Sequence, residues 1–151
     1  MTKQLKAKIY KACEHYLQLR LDTLKERLDD INESLASDTK SSAGDKYETG
    51  RAMLHLEKEK QMTQLATLKE SKKNLSSVKT DSLFLSVEQG ALVKTNQGSF
   101  YVAISAGKLQ IDGQEFFAIT LLSPIGKMLF QKRVGDSFAF RGKEYYIYEV
   151  I

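Results

Sequence analysis

The chain has little of several things that would disclose a function directly. Its 151 residues include one cysteine, one proline and two histidines. The lone Cys13 cannot form an internal disulfide, which agrees with a reducing compartment. Cys13 and His15 stand close in sequence, but a Cys-x-His pair on one helix does not make a zinc site, and His55 has no companion ligands either. There is no C-x-x-C pair, no phosphate-binding glycine loop and no serine-histidine-acid set to support catalysis by the chain alone. No run of about 18 apolar residues occurs, so no membrane span is expected. The opening Met1-Thr2-Lys3-Gln4-Leu5-Lys6 leads into a charged amphipathic pattern instead of a signal-peptide core, and the cytoplasm is the expected location.

Charge is modest in amount and uneven in place. The net value is +4, and all of it falls before residue 81, where 16 Lys/Arg face 12 Asp/Glu; beyond it seven of each cancel. Such asymmetry suits a first half that meets something anionic, although a solvated helix surface has the same look.

What is present begins with a heptad. Leu17, Leu21, Leu24, Leu28, Ile31 and Leu35 alternate spacings of four and three, the pattern of a coiled-coil seam, with Arg20, Asp22, Lys25, Glu26, Arg27, Asp29 and Asp30 between them. The polar stretch Ser37 to Gly44 reads as a loop. A second helix is expected from about Ala43 to about Leu75, with Tyr47, Leu54, Leu65, Leu68 and Leu75 facing inward and Lys58 and Gln61 interrupting the seam. Two helices of about 30 residues joined by a short loop lie back to back and reach about 45 Å. Residues 1–78 thus form an antiparallel helical hairpin whose tip lies near 37–50. A seam satisfied within the hairpin favours a monomer.

Past Ser76-Ser77 the periodicity shortens to runs rich in Val, Ile, Phe and Tyr. Strands are expected over Leu83 to Val87, Ala91 to Thr95, Phe100 to Ser105, Lys108 to Ile111, Phe116 to Leu122, Ser137 to Phe140 and Tyr145 to Val150. Asn96-Gln97-Gly98, Asp112-Gly113, Gly135-Asp136 and Arg141-Gly142 supply turns between them. One short helix interrupts the series: Ser123 suits an N-cap, Pro124 the first helical position, and Ile125, Met128 and Leu129 a buried face. Residues 79–151 should form a mainly antiparallel sheet with one helix on it, and the whole chain is α+β.

Asp45 and Glu48 stand three residues apart where the second helix opens, so one partner can touch both. Two readings apply. Ser42-x-x-Asp45 fits a capping pattern, and acids in a first turn are stabilised by the helix dipole. Two carboxylates are also hard oxygen donors that could complete a divalent-cation site held mainly by another protein.

The order of these features resembles the GreA/GreB family of bacterial transcript cleavage factors over nearly the whole chain. The resemblance rests on a hairpin turn carrying Gly44-Asp45-x-x-Glu48, then Ser123-Pro124-Ile125-Gly126-Lys127, then Lys132-Arg133-Val134-Gly135-Asp136. It implies an FKBP-like C-terminal domain that docks on bacterial RNA polymerase, with Ser123, Pro124, Ile125 and Lys127 near the docking surface. It further implies a hairpin inserted through the polymerase's secondary channel, with Asp45 and Glu48 as accessory catalytic carboxylates. These would help hold an Mg²⁺ shared with the polymerase, while the polymerase hydrolyses backtracked RNA. The chain would then need no cofactor of its own and would not be an enzyme. Arg51 and Lys46 are candidates for contact with the nascent RNA, because basic side chains neutralise phosphate without reading sequence.

After the acids the chain continues Thr49-Gly50-Arg51-Ala52, where the cleavage factors carry a small polar and acidic stretch ending in tyrosine. Gly50 inside a helix costs about 1 kcal/mol relative to alanine. A Gre-like regulator that modulates or inhibits polymerase without cleavage is therefore the alternative, and a coiled-coil interaction module with merely capping acids is a third reading. The FKBP-like fold alone does not imply prolyl isomerase activity.

Overall fold

A computed structural model describes residues 2–38 and 44–151, apart from the side chains of residues 38 and 44–47. Two long helices come first, α1 (Thr2–Asp38) and α2 (Gly44–Ser76). They are followed by strands β1 (Leu92–Thr95), β2 (Gly98–Val102), β3 (Gly107–Ile111) and β4 (Gln114–Ile119), helix α3 (Pro124–Leu129), and strands β5 (Ser137–Phe140) and β6 (Lys143–Val150). The fold class is α+β, as expected. Ser37 and Asp38 are helical and Gly44 opens α2; the remainder of the expected loop lies outside the described residues.

The chain divides into two compact units, one comprising residues 17–70 and the other Met1–Tyr16 with Ser71–Ile151. The first turns of α1 and the last of α2 therefore group with the strands, a division different from one at residue 78. In the 17–70 unit every expected seam residue of α1, from Leu17 to Leu35, is buried. The α2 side is less complete: Leu54, Lys58, Leu65 and Leu68 are half-buried. Gln61 is only 3% exposed, and its Nε2 donates to Glu57 Oε1 at 2.6 Å while its own Oε1 has no partner.

In the other unit the sheet order is β3-β4-β2-β1-β6-β5. Four of the pairings are antiparallel, but β2 and β4 run parallel, Ser99 opposite Phe116 through Val102 opposite Ile119. The expected mainly antiparallel sheet thus carries one parallel pair. The cause is topological: β3 does not return beside β2 but takes the edge, and the β3–β4 hairpin brings β4 alongside β2 instead. Two of the three hairpin turns, β3–β4 and β5–β6, come from the anticipated dipeptides. Asp112 and Arg141 each hold φ at 51° and are followed by Gly113 and Gly142 at 78°, the two left-handed positions that a two-residue turn between twisted strands requires.

The expected strand Leu83 to Val87 does not form. Leu83 and Leu85 are 68% and 87% exposed, whereas Phe84 packs partly buried against the core and Val87 enters it, its N–H donating to the Lys132 carbonyl and its carbonyl accepting from the Gln131 N–H. Alternating apolar residues identify a strand only when one face finds something to cover it.

Side chains alternate between two buried faces. Val93, Phe100, Val102, Phe138 and Ile147 pack with Val87, Ala91 and Leu129 on one face. Leu92, Tyr101 and Phe116 are equally buried on the other, and Ile9 and Cys13 of α1 are fully enclosed in the same unit. Burial there raises the Cys13 thiol to about 12, and it also raises the Tyr101 phenol, with Cys13 and Tyr10 nearby adding to that shift. A bulge in β6 serves both faces. Lys94 pairs with Glu149 but Thr95 pairs with Ile147, so Tyr148 is the extra residue, and Val150 and Ile147 both turn inward while Tyr146, Tyr148 and Glu149 are exposed.

Lys6 ties the ends of this unit together. It is 1% exposed, and its Nζ donates to the Ser82 and Ile151 carbonyls, 3.0 Å each, and lies 4.7 Å from the centre of the Phe84 ring. Loss of solvent lowers its pKa from 10.5 to about 8. Between those values the unfolded chain binds more protons than the folded one, so the contribution of Lys6 to stability rises with pH across that window. Urea titrations of wild type and Lys6→Met at pH values on either side of it should show the difference moving in favour of wild type as pH increases. A constant or opposite difference would contradict the assignment. Separately, Gln61→Leu is expected to stabilise the protein by about 1–3 kcal/mol, since it removes a buried acceptor without a partner; a lowered urea midpoint would exclude this.

Candidate functional site

The features that the sequence singles out fall into two places, one in each compact unit. The first is the opening of α2. The helix starts at Gly44, which puts Asp45 and Glu48 in its first two turns. Glu48 is exposed, whereas the side chains of Asp45, Lys46 and Tyr47 lie outside the described residues. Gly50 is exposed too, and a Cβ built on it would meet nothing within 4 Å. No packing among the described residues therefore demands glycine here.

Arg51 lies where the sequence alone did not place it. Its Nη1 donates to the Leu35 carbonyl at 3.0 Å, and the side chain is half-buried. Leu35 is in the last turn of α1. The guanidinium thus closes the end of one helix from the first turns of the next. A basic residue 16 positions away carried no local signal for this, because the contact depends on the two helices lying side by side.

The chemistry available at this helix opening is that of an oxygen-donor fragment. Two carboxylates match a hard cation such as Mg²⁺ in type, but they are too few for its octahedral shell. Among the described residues no group of three or more His, Cys, Asp or Glu could hold a metal ion. The histidine of α2, His55, lines a shallow open groove with Lys58, Glu59, Met62 and Thr63 on one helix surface.

The second place is the turn from β4 into α3. Ser123 adopts an extended conformation and caps α3: its Oγ accepts from the Gly126 N–H at 3.0 Å and donates to the Thr120 carbonyl at 2.6 Å. Pro124 fills the first turn, where an N–H would have no partner. Gly126 is buried, and any Cβ on it would be driven into the Thr120 carbonyl oxygen. Ile125 and Met128 pack against the core beside the fully buried Leu129. Inward anchoring leaves the opposite side of the turn exposed: Pro124 and Lys127 face solvent, as do Leu122 at 83% and Phe130 at 45%. Ser123 and Ile125, expected at the docking surface, are half-buried and hold the turn's shape. Leu122 and Phe130 were missed. Both flank α3 instead of belonging to it, so helical periodicity carried no signal for their exposure.

No helix among the described residues is long and apolar enough to cross a membrane. No protein-family model matches the chain. No curated protein matches it either. Among solved structures, that of the transcription factor Gfh1 is similar at 22% sequence identity, covering 93% of this chain and 92% of that one, with a TM-score of 0.35.

The capped turn should be intolerant of small changes. Gly126→Ala is expected to cost about 1–3 kcal/mol through overpacking, and Ser123→Ala about 1 kcal/mol through loss of the cap. Denaturant titration of the two variants checks both, and an unchanged midpoint for Gly126→Ala would show that the Thr120 carbonyl can move aside.

Proposed function

We propose that this protein is a transcription elongation accessory factor that binds bacterial RNA polymerase and presents the opening of α2 to the polymerase's catalytic centre. The observation that carries this reading is the start of α2 at Gly44, which puts Asp45 and Glu48 in its first two turns inside a two-helix unit. The β unit, with its capped Ser123-Pro124 turn, supplies the second part of the reading. The motif order behind the resemblance to the GreA/GreB family supports the assignment to transcription.

In this reading Leu122, Pro124, Lys127 and Phe130 dock the β unit, and the turn held by Ser123 and Gly126 fixes their spacing. Asp45 and Glu48 lend two carboxylates to an Mg²⁺ held mainly by the polymerase. Such an ion lowers the pKa of a bound water and stabilises the leaving oxygen of a phosphodiester. This chain contributes ligands and position, and the hydrolysis belongs to the polymerase.

One observation favours a second version, regulation without cleavage. Arg51 sits where cleavage factors carry acidic character, and its bond to Leu35 fits a part in holding the helix ends together more than one in contacting RNA. The test is to add the protein with Mg²⁺ to a stalled, backtracked elongation complex. Shortened RNA is the expected product, and Asp45→Ala or Glu48→Ala should reduce the cleavage rate by at least about tenfold, the scale of losing a group that acts only in the transition state. Binding without cleavage, with elongation altered by the same substitutions, supports the regulator. If both variants leave polymerase behaviour untouched and only weaken the helix, the acids are caps.

A further inference from the structure

The positive charge of the chain is not on the two-helix unit. Residues 17–70 carry nine Lys/Arg against eleven Asp/Glu, and residues 81–151 carry seven of each. The excess lies entirely in residues 1–16 and 71–80, where seven lysines meet one acid, Glu14. Both segments belong to the same compact unit and are joined by the Tyr10 hydroxyl donating to the Leu75 carbonyl at 3.1 Å.

Two of the seven lysines are occupied. Lys6 is buried, and Lys8 forms an ion pair with Asp112 at 2.7 Å. The other five, Lys3, Lys11, Lys72, Lys73 and Lys79, are exposed. The remaining ion pairs among the described residues, Lys94–Glu149 and Lys108–Glu115, do not involve them. Five exposed ammonium groups with no ion pair among the described residues, carried by two segments of one compact unit, repel one another, and a polyanion relieves that repulsion.

We propose that this lysine cluster binds the phosphate backbone of nucleic acid, without sequence preference. The composition favours nucleic acid over a protein surface. The basic residues of the cluster are lysines throughout, which act as point charges toward phosphate, whereas protein interfaces are depleted in lysine and enriched in arginine. The surface is separate from the proposed tip chemistry and needs no polymerase, so it stands or falls independently. An anionic bilayer is the competing occupant, since Leu83 and Leu85 are exposed just beyond Lys79.

The test uses the full chain and fluorescence anisotropy with a short labelled RNA and a DNA duplex of matching sequence. Affinity should fall steeply between about 50 and 200 mM salt, with a log–log slope near −4 if five phosphates are neutralised. Replacing all five lysines by glutamine should weaken binding at low salt more than about tenfold and flatten the slope. Lys72→Gln with Lys73→Gln provides a milder variant if the fivefold one misfolds, and circular dichroism checks both. Replacing Lys58, Lys60 and Lys69 of the two-helix unit should leave affinity nearly unchanged. Three results would overturn the proposal: no binding to either nucleic acid at low salt, an equal loss from the Lys58, Lys60 and Lys69 variant, or tighter binding to phosphatidylserine vesicles or polyglutamate than to nucleic acid.

Discussion

The β unit depends on a buried ammonium group. Lys6 reaches from the second turn of α1 to the carbonyls of Ser82 and Ile151, with the Phe84 ring beside it. An ammonium removed from water is tolerated only where acceptors replace its hydration, and a charge-assisted bond is roughly twice as strong as a neutral one. One side chain therefore fastens the start of the chain both to the segment that follows α2 and to the end of β6. Ile151 is held on its other side by the reciprocal bonds of its N–H and carbonyl with Leu92 in β1. Ile9 and Cys13 are buried further along α1, so its first turns behave as part of the β unit's core and not as a handle attached to it.

This arrangement explains which parts of the fold could be read from sequence. The seam from Leu17 to Leu35 was legible because its periodicity is local and its partner is another helix of the same repeat. The turns at Asp112-Gly113 and Arg141-Gly142 were legible because left-handed backbone restricts residue choice. Ser123 and Pro124 announced a helix start for the same kind of reason. By contrast, Lys6 looks like an ordinary solvated lysine in any local window. Its burial follows from contacts with residues 82 and 151, which no periodicity encodes. The parallel pairing of β2 with β4 and the failure of Leu83 to Val87 to form a strand are likewise decisions taken by distant neighbours.

The candidate site divides in the same way. The helical placement of Glu48 and the cap at Ser123 followed from residue type and spacing. Arg51 did not, because its partner carbonyl belongs to the preceding helix. The charge was legible in amount but only coarsely in place: counted by halves it pointed to the helical first half, and counted by compact unit it lies in the first turns of α1 and around the end of α2. Leu122 and Phe130 were hidden by the habit of reading apolar residues as core; they flank α3, where helical phase does not decide which side chains are covered.

The bulge at Tyr148 bears on how the length of this chain could change. With Tyr148 removed, Glu149 would follow Ile147 directly and the partners of Lys94 and Thr95 would become consecutive, while Val150 and Ile147 kept their faces. Elsewhere in the paired strands a one-residue loss reverses every side chain beyond it. Tyr148 is thus a point where the sheet can accept a deletion without exchanging inside for outside.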